Sequence, residues 1–453
     1  MSSTTSTDIP LPAIAADFGA NPIHLKLALT SYLLALAVFI PASGWLADRF
    51  GARSIFTLAI ATFLAGSIFC GLSSSIGEIV VGRIIQGAGG AMMVPVGRLV
   101  ILRSVAKHEI VGSLAWLTIP ALIGPILGPP VGGFITTWFD WRWIFWINVP
   151  VGILGIALAL LFFRDIRGEA RVPFDAPGFV LSGFGLVLFM TGSTTLGLGL
   201  LPLPLVLALF FGGVALLGLY VAYSRRRPHP ILDLTLLRVP TFAASIAGSI
   251  LFRLGIGATP FLLPLLLQIG FGMTPFQSGM ITFASAIGAL AMKFVAPPTL
   301  RRFGFRAVLV VNAVIAGLFV MLPAAFTPTT PVALMVTLLL VGGFFRSLQF
   351  TGVNALAYAD MTPERMSRAT SLTSVAQQLA LSLGISVGAI SLELATAGGT
   401  ITAGAFAPAF IVVGLLSMLS AIPFTLLSRD AGDEMSGRRP IAPDPVTAMR
   451  ERG

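Results

Sequence analysis

The chain is 453 residues long, 56% hydrophobic and only 10% charged, with a mean hydropathy of +0.95. A soluble domain carries roughly 25% charged residues, so a water-soluble fold is excluded. The net charge of +10 would suit nucleic acid, but its distribution over loops between apolar runs excludes that use.

A hydrocarbon core of ~30 Å needs roughly 20 apolar residues per helix. By that measure the sequence predicts about fourteen spans, near 1–17, 27–47, 54–73, 77–100, 110–136, 143–163, 177–198, 203–223, 241–268, 276–297, 305–325, 331–357, 367–395 and 404–427. Glycine (49) and proline (31) are plentiful, as close-packed and kinked membrane helices require. The first span begins Met1-Ser2-Ser3-Thr4-Thr5-Ser6-Thr7-Asp8, without an apolar lead-in. A helix there reaches only ~24 Å, and it lacks the basic start and apolar middle of a signal peptide. Either the helix is short or, the preferred reading, the true start lies upstream of Met1.

Between the second and third spans lies GWLADRFGAR, residues 44–53. Here Gly44 and Gly51 are expected to let the backbone reverse. Asp48, Arg49 and Arg53 supply charge, either for a contact across two halves or merely to solvate a loop. A shortened echo, RFGFR, occupies 302–306. A tight basic turn recurring in both halves is the signature of a two-fold-repeated transporter. Setting this turn in the cytoplasm puts most of the 28 Lys and Arg on one side, at 49–53, 98–107, 164–171, 225–238, 301–306, 365–368 and in the tail; the opposite loops hold only Lys26 and Arg142. This positive-inside bias makes both termini cytoplasmic and brings the basic loops to anionic lipid. The polar tail from Asp430 is expected to be disordered.

Charges inside spans are costly and usually functional. Arg83 lies in the fourth span with Gln86 one turn on, and Arg346 and Gln349 repeat that spacing in the twelfth. If the repeat is more than chance, it places two cationic pairs at a central cavity. Arg253 is a third intramembrane arginine, unless it snorkels. Intramembrane acids are scarce: Asp8, Glu393 near the outer end of the thirteenth span, and Glu78 at the edge of the fourth. Further cavity candidates are Tyr32, Trp116, Phe261, Phe345 and Phe350, with Gln268, Asn354, Gln377 and Gln378 as hydrogen-bonding groups; helix packing explains any one equally well. The single Cys70 excludes an intramolecular disulfide, and neither a metal cluster nor a phosphate-cradling motif is present.

Several motifs in order carry a family resemblance. GWLADRFGAR resembles the cytoplasmic turn of the major facilitator superfamily, and GRIIQGAGG at 82–90 resembles its helix 4 arginine motif. GPILGPPVGG at 124–133, with Gly124, Pro125, Gly128, Pro129, Gly132 and Gly133, resembles the helix 5 motif of its exporters. WRWIFWINVP at 141–150 and RRPHPILDL at 226–234 are similar to signatures of the fourteen-helix drug:proton antiporter branch.

The resemblance implies an all-α polytopic membrane protein of the major facilitator fold, two pseudo-symmetric six-helix bundles with two extra central helices. The expected division is 1–165, a linker with the extra pair over 166–238, 239–428, and a cytoplasmic tail over 429–453. It implies no enzyme and no cofactor, but a secondary exporter of lipophilic drugs or toxic metabolites in the cytoplasmic membrane, driven by proton antiport. Nutrient uptake and a non-transporting sensor are the alternatives. It also implies a monomer among membrane lipids, with periplasmic adaptor proteins in a two-membrane cell, and no nucleic acid. Gating falls to Gly44, Asp48, Arg49, Gly51 and Arg53, and resistance to leak to the helix 5 motif. Proton coupling falls to an acid near Arg83. Ser3 stands where the branch usually has that acid, so Asp8 is the first candidate and Glu393 the second. The intramembrane cations favour neutral or anionic cargo over purely cationic drugs.

Overall fold

The computed structural model describes residues 22–117, 124, 134–135, 138–163, 166–168, 172–196, 201–396 and 402–438, with the backbone alone for 22–29. Among these residues every regular element is helical, and twelve segments are long and apolar enough to cross a membrane. The expected first span lies outside the described residues. Of the fifth, mainly the opening turns over 110–117 are described.

Helix α1 (Pro22–Phe39) runs through a 3-10 turn into α2 (Ser43–Phe50). Then follow α3 (Ala52–Gly71), α4 (Ile76–Ser104) and α5 (Asn148–Phe162). The pair α6 (Ala176–Thr195) and α7 (Leu203–Ser224) comes next. The second half contains α8 (Pro240–Gly257), α9 (Thr259–Leu265), α10 (Pro275–Phe303), α11 (Phe305–Met321), α12 (Val332–Leu356), α13 (Met366–Thr396) and α14 (Phe406–Leu419). Pro264 lies inside α9, and the chain widens into a π turn over Leu266–Gly270, as a missing backbone donor allows.

In the first half α4 packs on α3 and α1; in the second, α10 packs on α12, α11 on α14, and α8 on α13. Helices α6 and α7 pack on each other, and α6 also touches α1 and α13, one from each half. A hydroxyl contact pins it there: Ser193 and Ser382 lie 2.7 Å apart, and Ser386 donates to the Ser193 carbonyl. Buried apolar residues from both halves meet at the end where the basic loops lie; a second cluster fills the opposite part of the second half.

Three expectations change. The 44–53 stretch is not a loop, because no breaker interrupts Ser43–Phe50; the reversal falls on Gly51 alone, at φ 95°. Gly304, at φ 78°, does the same between α10 and α11. Gly44 is therefore a packing glycine. A Cβ there would stand 2.6 Å from the Ser367 carbonyl oxygen on α13.

Second, α4 extends to Ser104. Ser75 caps its start, and Glu78 answers with a 2.7 Å bond from the Ser74 amide. Arg103, beyond the expected span, is thus helical rather than in a loop, since a long cation near a helix end can lie along the helix. Third, the tail is ordered through Arg438. The turn Asp433–Ser436 buries Met435, and Glu434 pairs with Lys107 at 3.1 Å.

Candidate functional site

At the basic end the two halves are joined by side chains on α2, α4 and the start of α13. Asp48 Oδ1 accepts from Arg103 Nη2 at 3.0 Å, and Ser367 donates to Asp48 Oδ2. The same Arg103 nitrogen donates to the Pro363 carbonyl at 3.2 Å, so one arginine holds both sides. The Gly44 amide donates to Ser371 Oγ at 3.0 Å, with Ser43 Oγ 3.1 Å from that hydroxyl. Ser367 and Ser371, four residues apart, present one face of α13, and both are buried. This close approach requires the hydrogen that Gly44 carries in place of a side chain.

The linker laces onto the same place. The Ala52 amide donates to the Ile166 carbonyl, Gly168 to the Asp48 carbonyl, and Trp45 Nε1 to the Val172 carbonyl, at 2.9, 3.1 and 2.9 Å. Asp233 takes Arg368 Nη1 from α13 at 3.2 Å. A cavity of about 590 Å³ opens among Trp45, Asp48, Arg49, Arg103, His229 and Arg368. Arg49 is exposed at its rim, and Arg53, half-buried, gives its carbonyl to Thr57.

Deeper in the first half, Arg83 is 7% exposed. Its Nη1 donates to Gln86 Oε1 at 3.0 Å, and its guanidinium lies 4.4 Å from the centre of the Tyr32 ring. Gln86 Nε2 donates to Ser67 Oγ on α3 at 2.5 Å, and that oxygen also receives Asn148 Nδ2 from α5 at 3.3 Å. A Cβ on Gly87 would stand 2.6 Å from the Tyr32 carbonyl oxygen. That close approach of α4 to α1 brings the ring beneath the cation.

The second half repeats the sequence spacing but not the pair. Arg346 Nη2 donates to Ser285 Oγ on α10 at 2.8 Å. Gln349, fully buried, accepts from Asn312 at 2.8 Å and donates to the Leu309 carbonyl at 3.2 Å. Both glutamines therefore tie their helix to the preceding one, Gln86 to α3 and Gln349 to α11. Arg253 on α8 donates from Nε to Ser249 at 3.1 Å and lies 4.5 Å from the Phe350 ring centre. Asn354 accepts from Gln377 Nε2 at 2.9 Å.

The remaining candidates are scattered. Glu393 is exposed three residues from the end of α13. Trp116 is 65% exposed and meets Phe294 of α10 edge-on at 5.9 Å. Gln268 is half-buried in the π turn. Asp8, Pro125, Gly128, Pro129, Gly132 and Gly133 lie outside the described residues; of the helix 5 motif only Gly124 is described.

Sequence reasoning missed four groups. Lys293, 6% exposed on α10, donates to Thr351 at 2.9 Å. Arg98, 7% exposed, donates to the Tyr358 hydroxyl at 3.3 Å across the halves. The third is Arg103 and the fourth the Ser367–Ser371 pair. Lys293 stood visibly inside an apolar run. The serines carried no signal, because a packing hydroxyl and a gating hydroxyl look alike in sequence.

Two helical halves with pseudo-two-fold symmetry, joined by an inserted pair and locked across one end by an acid–base contact, make a membrane transporter rather than an enzyme. The chain belongs to the major facilitator superfamily, whose sequence profile matches residues 1–255 and 245–449. It is 36% identical over 392 residues to a Citrobacter koseri protein provisionally named multidrug resistance protein MdtD, covering 86% of this chain and 83% of the relative. The Salmonella typhimurium protein of the same name is 36% identical over 395 residues, with the same coverage. Among solved structures, the proton:xylose symporter XylE aligns with a TM-score of 0.64 at 16% identity, over 95% of this chain and 94% of its own. The human organic anion transporter TETRAN aligns with a TM-score of 0.62 at 15% identity, over 92% and 88%. These two likenesses concern the fold.

Proposed function

We propose that the protein exports lipophilic drugs or toxic metabolites by alternating access, driven by proton antiport. The relatives named for multidrug resistance support the cargo class. The observation that carries the mechanism is the Asp48–Arg103–Ser367 contact, which joins the halves at the basic end. The positive-inside bias assigns that end to the cytoplasm, with both termini on that side of the cytoplasmic membrane. The structure is then closed to the cytoplasm, and export requires this lock to open and re-form once per cycle. An ion pair makes a reversible lock, because it holds while dry and weakens once water enters and the local dielectric rises. The protein acts as a monomer among membrane lipids, with the proton as its only co-substrate.

Coupling needs a carboxylate that gains a proton in one state and loses it in the other. Asp8 remains the first candidate and Glu393 the second, the outward position of Glu393 weakening its case. The test is dye accumulation in cells stripped of their own pumps. Expression should lower accumulation, and a protonophore should restore it. Asp8→Asn should abolish the gradient dependence. Export that survives collapse of the proton gradient would overturn proton antiport, and full gradient-driven export by Asp8→Asn would pass the role to Glu393→Gln for the same assay.

A further inference from the structure

The cavity of about 590 Å³ at the basic end lies where three parts of the chain meet. The first half lends it Arg49, Arg103 and Lys107, the linker Arg167 and His229, and α13 of the second half Arg368. Its acids among the described residues are Asp48, Asp175 and Glu364. Two of these are already spent. Asp48 is held by Arg103 and Ser367. Asp175 caps α6 at Gly178, and also accepts from the Tyr223 hydroxyl at 2.6 Å and the Ile231 amide at 3.1 Å. Glu364 is exposed.

The cations are less fully used. The Arg103 side chain is 8% exposed and spends Nη2 on Asp48 and the Pro363 carbonyl; its Nη1 is buried with no acceptor among the described residues. Arg368 gives Nη1 to Asp233, and a third of its side chain stays exposed. Arg49 is exposed and pairs with no acid among the described residues. Five lysines and arginines thus share one cavity with three acids, a surplus of two. Positive-inside bias puts cations on loops, but it does not gather them around one space or leave a buried nitrogen unspent. The volume falls within the roughly 300–1,000 Å³ of small-molecule sites. A phosphate ester carries about −1.5 to −2 on one centre, which matches the surplus, and its oxygens fit the guanidinium fork. Walls of Trp45, Ile166, Pro173 and Ile231 leave room for an organic group beside it.

We propose that this cavity is a binding site for a phosphate-bearing anion, held by Arg49 and Arg103 of the first half and Arg368 of the second. Because it touches both halves, the bound anion braces the closed gate and slows its opening. Occupation of the site does not depend on the exporter reading above; the effect on transport rests on it.

The experiment is thermal unfolding of the full-length protein in phosphatidylcholine nanodiscs. Sodium tripolyphosphate is the probe, and sodium chloride of equal ionic strength the control. Tripolyphosphate should raise the melting temperature by about 3 °C or more at saturation. Arg49→Gln and Arg368→Gln should each weaken binding about tenfold; Arg302→Gln, exposed and outside the cavity, should leave it unchanged. If one cavity variant fails to elute as a single species, the other decides. Nanodiscs containing phosphatidylglycerol separate the two sources of phosphate. A rise with tripolyphosphate alone assigns a soluble anion; a rise with the lipid that Arg49→Gln and Arg368→Gln lose assigns a headgroup. No rise from either, an equal rise from chloride, or a rise undiminished in both cavity variants overturns the proposal. Dye uptake by inside-out vesicles then tests the brace. Tripolyphosphate outside should slow uptake severalfold in the parent and not in Arg368→Gln. Binding without slowing overturns the brace. Vesicles that take up no dye at all count against the exporter, while the melting temperatures still decide the site.

Discussion

The basic end of the molecule and its interior treat cations in opposite ways. At the basic end Arg103, Arg368 and Lys107 meet Asp48, Asp233 and Glu434 at 3.0, 3.2 and 3.1 Å. In the interior Arg98, Arg253, Lys293 and Arg346 meet hydroxyls and rings, and no acid among the described residues. Paired charges at a water-accessible end can part and re-form with modest loss, since water replaces each partner. Unpaired charges in a dry interior have no such substitute and gain most from a ligand that supplies the missing sign. The first arrangement suits a gate; the second holds its cations on neutral partners within the packed helices.

Removing one member of the gate should break this contrast most sharply. The Asp48 side chain is 22% exposed and that of Arg103 8%. Breaking a fully buried pair costs ~3–5 kcal/mol, so a partly wet one should cost about 2. Asp48→Asn should therefore lower export at least about tenfold, read as drug efflux from pump-deficient cells; unchanged efflux would remove Asp48 from the gate. Next in size is Gly44→Ala. Its methyl would meet the Ser367 carbonyl oxygen at 2.6 Å and Ser371 Oγ at 2.7 Å. Overpacking costs ~1–3 kcal/mol, so the closed end should loosen and a thiol at Ser371→Cys should react with a water-soluble maleimide several times faster than in the parent. Equal labelling rates would show that α2 and α13 can close without the glycine.

The interior offers smaller effects. Gln86→Leu removes the Gln86 bond from the charged Arg83 Nη1 and the α4 donor from Ser67; Gln349→Leu strips only neutral partners. Bonds to charged groups are worth ~1.5–3 kcal/mol against ~0.5–1.5 for neutral ones. The first variant should lower the melting temperature more than the second, and the reverse order would place the greater burden in the second half. Lys293→Met is the smallest change. Replacing a buried cation by an apolar side chain of similar length is often neutral or stabilising. A melting temperature equal to or above the parent's is expected, and a clear fall would show that the Lys293–Thr351 bond holds α10 to α12.

Much of the fold was legible because a membrane leaves few choices. Apolar length placed the spans that the described residues cover, and the basic loops marked one end. Boundaries near charges were not legible: Arg103 fell beyond the expected span although α4 carries it, because an arginine's stem is as apolar as the helix it lies on. The turn motif was recognised whole, yet its parts divide between a turn at Gly51 and a close contact at Gly44, which only the neighbouring α13 reveals. Arg83 with Gln86 was readable from their one-turn spacing, whereas the same spacing at Arg346 and Gln349 hides two separate bonding arrangements. Spacing shows which residues share a helical face; it does not show which neighbour each will choose.

The central claim is that the Asp48–Arg103–Ser367 contact holds one end shut and opens during transport. Arg49 and Glu364 are both exposed at that end, one in each half. Spin labels at Arg49→Cys and Glu364→Cys, with the buried Cys70 replaced by serine, report the gap by pulsed dipolar spectroscopy in lipid nanodiscs. The account predicts a dominant short distance with intact Asp48 and a marked longer population once Asp48→Asn is added. Identical distance distributions with and without Asp48 would contradict it.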